Sequence, residues 1–175
     1  MIGVGILSSI LGVSTAWVVT RYDFFGKNFF EWALLLPAAV PAYIIAYTYT
    51  DFLEYAGPVQ KIIREFFNFQ NADQYWFPEI RSMEGAIFVM SFVLYPYIYM
   101  TTRASFLTVP ISFFQTSLIY GRSSFFSVAL PLARPGIIAG LALVLMETVS
   151  DFGTVEYFAL ETLTLGVFNV WLGMN

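Results

Sequence analysis

An apolar stretch of the chain contains two carboxylates that could bind an ion or a proton. Glu147 and Asp151 are four residues apart, so a helix would place them on one face. Counted from Pro135 at about 1.5 Å per residue, they lie roughly 18 and 24 Å along that helix. Carboxylates at such a depth predict either a site facing a bundle interior or water, or a solvated or paired couple near the outer interface.

The residue composition excludes several kinds of catalytic and metal site. The 175 residues include no histidine and no cysteine. This excludes disulfides, thiol chemistry and the usual soft or borderline metal sites, and it removes the commonest general base. We therefore expect no catalytic residue, no resident metal, no cofactor and no nucleic-acid partner. No glycine loop of the nucleotide-binding type occurs, so a nucleotide would have to bind on another chain.

The elements that position the two carboxylates are long apolar segments. Apolar residues make up 58% of the chain and charged residues 11%, with a mean hydropathy of +0.71. Soluble domains carry about a quarter charged residues, so this composition predicts a membrane protein. We expect an all-α polytopic helical bundle with four main spans and one short cytoplasmic helix. The spans are predicted at residues 2–20, 32–52, 85–101 and 136–155.

Basic residues are distributed unequally between the loops that join these spans. One predicted side holds Arg21, Lys27, Arg103, Arg122 and Arg134, and the other holds Lys61, Arg64 and Arg81 among a larger number of acidic residues. The positive-inside rule places the first side in the cytoplasm. The loop of residues 110–131 is then cytoplasmic and the loop of residues 53–83 is outside. Within the outer loop, residues 59–67 are predicted to form a short amphipathic helix at the membrane interface.

Aromatic residues are concentrated in the second span, which Pro37 and Pro41 interrupt. Such prolines are tolerated in membranes where neighbouring groups satisfy the freed carbonyls. Tyr43 and Tyr47 share a face of this helix. The pattern is typical of an interfacial aromatic belt, and the alternative is a polar lining for a pathway.

The stretch FQTSLIYGRSSFFSVALP at residues 114–131 resembles the cytoplasmic loop by which permeases of bacterial ABC importers dock on their ATPase. The residues at its motif positions are Gln115, Thr116, Ser117, Gly121, Val128, Leu130 and Pro131, with Arg122 as a surface charge for a partner. The Glu-Ala-Ala that opens the family motif is absent, and the spacing from glycine to Leu-Pro is three residues short. Anchored on Leu130 instead, the glycine position falls on Leu118, so two registers are open.

Two longer stretches are similar to the ferric-iron permeases of this superfamily. They are RYDFFGKNFFEWALLLPAAVPAYIIAYTYTDFLEYAGPVQ and METVSDFGTVEYF. The resemblance implies most of the first of two repeats in a longer chain of the bacterial inner membrane. It also implies a permease without its own catalysis, which imports iron brought by a periplasmic binding protein. The further partners implied are a cytoplasmic ATP-hydrolysing subunit, a second permease repeat or subunit, and the lipid bilayer.

Several alternatives stay open at this point. Permeases for thiamine, polyamines and sulfate share the architecture. The hard oxygen ligands of Glu147 and Asp151 would suit an oxidised iron ion in passing. An ATP-independent channel or secondary transporter could use the same two residues as an ion or proton site. A membrane scaffold that transports nothing is a third possibility.

Overall fold

A computed structural model describes residues 1–71, 74–151, 153–158 and 163–173. Within these ranges the chain is helical and has no strand, which confirms the predicted all-α fold. The α-helices are α1 Ile2–Arg21, α2 Lys27–Ala33, α3 Ala42–Leu53, α4 Pro58–Phe67, α5 Met83–Thr108, α6 Ile111–Ile119, α7 Leu130–Leu132, α8 Arg134–Ser150, α9 Gly153–Tyr157 and α10 Leu163–Trp171. A 3₁₀-helix covers Leu36–Ala39 and a π-helix covers Phe125–Ala129.

Two helices of the described chain, α1 and α5, are each long and apolar enough to cross a membrane. Two interrupted pairs could supply two further spans: Lys27–Ala39 with Ala42–Phe67, and Phe125–Leu132 with Arg134–Ser150. The first break falls at Pro41, which has no amide hydrogen to continue a helical ladder. The second break bends the chain by 60°. These four segments overlap the four predicted spans.

The chain forms two compact units. The first comprises Met1–Ala39 and Ser91–Thr148, and the second comprises Val40–Met90 and Val149–Asn175. In the first unit α1 packs along α5. The Ser8 hydroxyl donates to the carbonyl of Ser91, and Gly12 lies against Ile98. Because the contacts advance in the same direction along both helices, α1 and α5 run parallel, as expected for two spans that enter from the same side.

Helix α8 approaches α5 through two glycines. A side-chain carbon added at Gly140 would lie 2.5 Å from Oγ1 of Thr101 and 2.7 Å from Cα of Ile98. A carbon added at Gly136 would collide with the hydroxyl of Ser105 and lie 2.6 Å from the carbonyl oxygen of Thr101. The contacts run in opposite directions along the two helices, so α8 is antiparallel to α5. Small residues at this spacing allow the backbones to approach closely.

A stripe of polar side chains on α5 holds α2 in place. The Tyr95 hydroxyl donates to the carbonyl of Leu34 at 2.9 Å, and the Tyr99 hydroxyl donates to that of Glu31 at 3.4 Å. One turn further, the Arg103 guanidinium lies 2.9 Å from the Glu31 carboxylate. Since these three α5 residues are four apart, they lie on one face of the helix.

The second unit contains α3, α4 and α9 together with the first turns of α5. Its buried core includes Ala46, Ile80, Ala86, Val89 and Phe158. Helix α3 packs against both α4 and α9. The turn between α3 and α4 is tight at Gly57, where an added side-chain carbon would lie 2.6 Å from the carbonyl oxygen of Phe52. Glycine is therefore required at this turn because no other residue leaves room for the α3 backbone.

Candidate functional site

Helix α6 ends in a tight glycine turn. Gly121 has a φ of +63°, in the left-handed region that favours glycine. Its amide donates to the carbonyl of Leu118 at 3.0 Å, and the Arg122 amide donates to that of Ser117 at 2.9 Å. This pair of bonds is the Schellman arrangement, in which a left-handed glycine satisfies the last helical carbonyls. Gly121 thus occupies the turn, whereas Leu118 lies within α6.

A bond between two serine side chains closes the loop that follows. The Ser117 hydroxyl donates to the carbonyl of Phe114 at 2.7 Å, and its oxygen lies 2.7 Å from that of Ser124. Because a hydroxyl has a single hydrogen to donate, Ser124 must be the donor in the second bond. The end of α6 is therefore tied by its side chains to the start of the π-helix.

An aromatic cluster anchors α6 to the first span. The Phe114 side chain is buried, and the Trp17 ring lies 6.1 Å from it, between centroids, and 5.2 Å from the Phe125 ring. The Arg21 guanidinium lies 5.5 Å from the centre of the Phe114 ring, within cation–π range. Sequence reasoning missed this cluster because nothing in the residue types indicates which of the chain's many aromatic rings meet.

The π-helix Phe125–Ala129 connects the loop to α8. The Leu130 amide donates to the carbonyl of Phe125, five residues back, and Pro131 has no amide hydrogen to donate. A regular α-helical ladder is therefore interrupted at this point, and the chain bends before α8 begins. Short π-helical turns occur frequently at functional sites.

A groove of about 630 Å³ lies beside α6. Its lining residues are Ser112, Phe113, Thr116, Ser117, Tyr120, Arg122, Ser127 and Val128. The groove brings together four of the residues predicted at the loop: Thr116, Ser117, Arg122 and Val128. The predicted residues Gln115, Gly121, Leu130 and Pro131 lie outside its lining.

The tip of α6 next to this groove is apolar and exposed. Ile119 and Tyr120 are 82% and 76% exposed, and Leu118 is also exposed. Val128, by contrast, is buried and packs inward. The loop thus presents an apolar edge and the cation of Arg122 on a backbone fixed by the glycine turn, which is a geometry suited to contact with another protein.

The two predicted pathway carboxylates occupy different settings. Glu147 is exposed on α8 in the first unit. Asp151 follows the end of α8 in the second unit, where its oxygens accept the amide and the hydroxyl of Thr154, at 3.0 and 2.6 Å. Asp151 therefore caps the first turn of α9, which begins at Gly153. In the described ranges no group of three or more acidic residues could hold a metal ion.

The two predicted tyrosines lie on α3 near α9. Tyr43 lies beside Gly153, where an added side-chain carbon would be 3.2 Å from Cβ of Tyr43. The Tyr47 ring lies 5.8 Å from the Tyr157 ring, edge to face. Both tyrosines are about half exposed. Their partly exposed rings are compatible with an interfacial belt and with a pathway lining.

Ion pairs follow the predicted division of charge. In the described part of the chain they are Lys27–Asp23, Arg103–Glu31 and Arg81–Glu54. Asp23 and Glu31 belong to the predicted cytoplasmic side and Glu54 to the predicted outer loop of residues 53–83, so each pair joins residues predicted on the same side of the membrane. The hydrogen bond and positive charge of Lys27 lower the pKa of Asp23. The hydrogen bond and negative charge of Glu54 raise the pKa of Arg81.

Residues 8–169 match the family described as the binding-protein-dependent transport system inner membrane component. The chain belongs to this family. The match includes the loop at Gly121 and most of each predicted span. This confirms the predicted membership of the permeases of ABC importers and the predicted inner-membrane localisation.

Curated relatives of this permease chain differ in substrate. It is 28% identical to the molybdenum transport system permease protein ModB of Haemophilus influenzae, over 85% of the chain and 62% of the relative. It is 26% identical to the Fe(3+)-transport system permease protein FbpB 2 of the same organism, over 96% of the chain and 29% of the relative. It is 28% identical to the molybdate/tungstate transport system permease protein WtpB of Methanocaldococcus jannaschii, over 88% of the chain and 58% of the relative.

The permease chain thus spans less than two thirds of the length of these relatives. Their names include molybdenum, molybdate/tungstate and ferric iron, so the similarity extends beyond the ferric-iron permeases that the sequence resembles.

Proposed function

We propose that the chain is part of the membrane-spanning subunit of an ATP-driven importer, and that the loop at Gly121 couples it to a separate ATP-hydrolysing subunit. The observation that carries this proposal is the closed turn at the end of α6, where Gly121 and the Ser117–Ser124 bond fix the backbone. A loop can transmit a partner's movement only if it keeps its shape under load. The exposed tip of α6 and Arg122 then form the docking surface.

Two structural connections join this docking surface to the predicted membrane spans. Phe114 connects α6 to Trp17 near the end of α1, and the π-helix connects it to α8. Movement of α6 would therefore act on two spans of the first unit together. This arrangement supports a coupling role more than that of an ordinary basic loop.

We infer ferric iron, delivered by a periplasmic binding protein, as the substrate. The Fe(3+) relative aligns with 96% of the chain, compared with 85% for the H. influenzae molybdenum permease. The exposed carboxylate of Glu147 also favours a cation over an oxyanion by simple electrostatics. The second candidate is a tetrahedral oxyanion, which the molybdenum and molybdate/tungstate relatives favour.

A second permease repeat or subunit completes the proposed importer. The chain corresponds to 29% of the length of the Fe(3+) relative, which leaves room in such a protein for another repeat. The pathway would then lie between the two repeats, with Glu147 facing it.

The test is uptake by the full-length protein, reconstituted with its ATPase subunit and binding protein in proteoliposomes. We expect ATP-dependent accumulation of radioactive ferric iron and none of molybdate or sulfate. Accumulation of the oxyanions alone would favour the second candidate. Uptake without ATP would indicate a channel or secondary transporter, and absence of any uptake with the ATPase still bound would indicate a scaffold.

A further inference from the structure

Helix α4, in the second unit, has a polar face that is turned towards the protein. Gln60 is buried, and its Nε2 donates to the carbonyl of Leu53 at 2.7 Å. Its Oε1 accepts a hydrogen bond from the Tyr75 hydroxyl at 2.6 Å. Both polar atoms of the amide are therefore used within the loop of residues 53–83.

Arg64, one turn along, reinforces this orientation. Its Nη1 donates to the carbonyl of Tyr55 at 2.8 Å and to the Tyr75 hydroxyl at 3.1 Å. The guanidinium also lies 4.2 Å from the centre of the Tyr55 ring. Because Gln60 and Arg64 are four residues apart, their bonds fix the rotation of α4 about its axis.

The apolar side of α4 is left exposed by this rotation. Ile62, Phe66 and Phe67 are 64%, 77% and 60% exposed. A helix at the surface of a soluble protein shows the reverse pattern, with its apolar stripe packed inward and its polar face in water. The exposed stripe of α4 therefore needs an apolar partner outside the loop, which is either lipid or another protein surface.

The C-terminal end of α4 is also fixed. Asn68 adopts the left-handed conformation, with a φ of +57°, and ends the helix. The rings of Phe67, Phe69 and Tyr75 then stack in sequence, with centroids 5.7 and 5.4 Å apart. The exposed stripe thus belongs to a helix held at both ends and not to a loosely attached one.

The position of α4 favours lipid as this partner. The helix lies between α3 and α5 in the chain, and it forms the end of the interrupted apolar pair Lys27–Ala39 with Ala42–Phe67. The apolar stripe therefore adjoins segments that are apolar enough to span a membrane. Trp76 in the same loop is 86% exposed, and tryptophan is typical of the membrane–water boundary.

We propose that α4 lies in the outer interface of the bilayer, with Ile62, Phe66 and Phe67 inserted among the lipid chains. The two exposed charges beside the stripe, Lys61 and Glu65, have opposite signs, so insertion is driven by apolar burial and not by attraction to anionic lipids. The helix would hold the outer loop against the membrane. It would also set the height above the membrane of the hydrogen bonds that Gln60 and Arg64 make with Tyr75. This inference does not depend on the proposed coupling function.

The experiment measures the depth of single sites in the full-length complex, cleared of any other cysteine and reconstituted in phosphatidylcholine bilayers. Spin labels are attached at Ile62→Cys and Phe66→Cys, and at the matched controls Lys61→Cys and Glu65→Cys on the same helix. We expect the ratio of oxygen accessibility to nickel-chelate accessibility to be several-fold higher at positions 62 and 66 than at 61 and 65. Retained uptake verifies that each variant is folded.

Two results would overturn the proposal. Equal ratios at all four positions would place the stripe in water. Low accessibility to both reagents at positions 62 and 66 would show that protein covers the stripe. If those labels become immobile only on addition of the loaded binding protein, the binding protein is the partner that covers it. Repeating the measurement in bilayers with added anionic lipid tests the driving force. Unchanged ratios would support insertion driven by apolar burial, and ratios that rise with the anionic lipid content would contradict it.

Discussion

Asp151 binds Thr154 through both of its carboxylate oxygens, with the amide at 3.0 Å and the hydroxyl at 2.6 Å. These bonds satisfy a donor in the first turn of α9, which is the role of a helix cap. A carboxylate committed in this way has fewer lone pairs for a passing ion. We therefore expect separable roles for the two acidic residues that share a helical spacing in the sequence.

We predict that replacing Glu147 with Gln and Asp151 with Asn together impairs iron uptake in the full-length permease without loss of expression. Glu147→Gln alone should account for most of the loss, because Asp151→Asn retains an oxygen that can cap α9. Asp151→Ala should instead lower the free energy of unfolding by about 1 kcal/mol, the usual cost of losing a cap. Uptake and thermal unfolding in detergent are measured on the same preparations.

The matched control for these variants is Glu156→Gln, which neutralises an exposed carboxylate on α9. It should leave both uptake and stability unchanged. Normal uptake by the double variant would reduce Glu147 and Asp151 to anchors near the interface.

A second prediction concerns the turn at Gly121. No atom lies within 4 Å of a side-chain carbon added there, so a substitution meets only the backbone penalty of a positive φ. Gly121→Val should cost about 1–2 kcal/mol in the turn, since β-branched residues disfavour the left-handed region. We expect membrane insertion to be intact, co-purification of the ATPase to be weakened and ATP-driven uptake to be abolished.

Gly121→Asn is the control for this turn, because asparagine tolerates the left-handed region. It should retain the ATPase and most of the uptake. If Gly121→Val transports normally, the loop at Gly121 is not the coupling element.

A third prediction is the orientation of the chain in the membrane. Ser123→Cys and Asn71→Cys place single thiols at exposed positions on the two predicted sides. In intact cells, an impermeant thiol reagent should label the Asn71→Cys variant and not the Ser123→Cys variant. The opposite pattern would invert the topology. Ser123 is preferred to its neighbour Ser124, whose hydroxyl is bonded to Ser117.

A fourth prediction tests the contact between α8 and α5. Gly140→Ala should destabilise the protein by about 1–3 kcal/mol, the usual cost of overpacking, because the added carbon meets Thr101 and Ile98. Gly166→Ala is the control, since an added carbon there has nothing within 4 Å. Thermal unfolding in detergent should separate the two variants, and equal stability would contradict the close approach.

A fifth prediction concerns the ion pair of Arg103 with Glu31, whose side chains are 30% and 26% exposed. A double-mutant cycle with Gln at both positions should give a coupling energy of about 1 kcal/mol, near the upper end for partly exposed pairs. The pair Lys27–Asp23, whose Asp23 side chain is 97% exposed, provides the comparison and should show a smaller coupling that added salt removes. A coupling at Arg103 that disappears equally in salt would mean that this pair does not anchor α2.

The sequence predicts the helical class because apolar length is a local property, which can be read without knowing which segments meet. The short helix at α6 and the turn at Gly121 are likewise local. The capping of α9 by Asp151 and the anchoring of Phe114 by Trp17 are not predictable in this way. Both depend on where one helix ends or on which of its faces meets another, and periodicity alone does not determine either.

Helix α5 approaches the backbones of both α1 and α8 closely, and α1 meets α8 through leucine side chains. Gly12 and Gly140 both lie against α5 near Ile98, and Gly5 lies against Leu141 of α8. A turn of α1 or α8 about its own axis would drive a side chain into the backbone of α5. We therefore expect α1 and α8 to shift together with α5. If α6 is the coupling element, a pull on it would tilt these three helices as one lever.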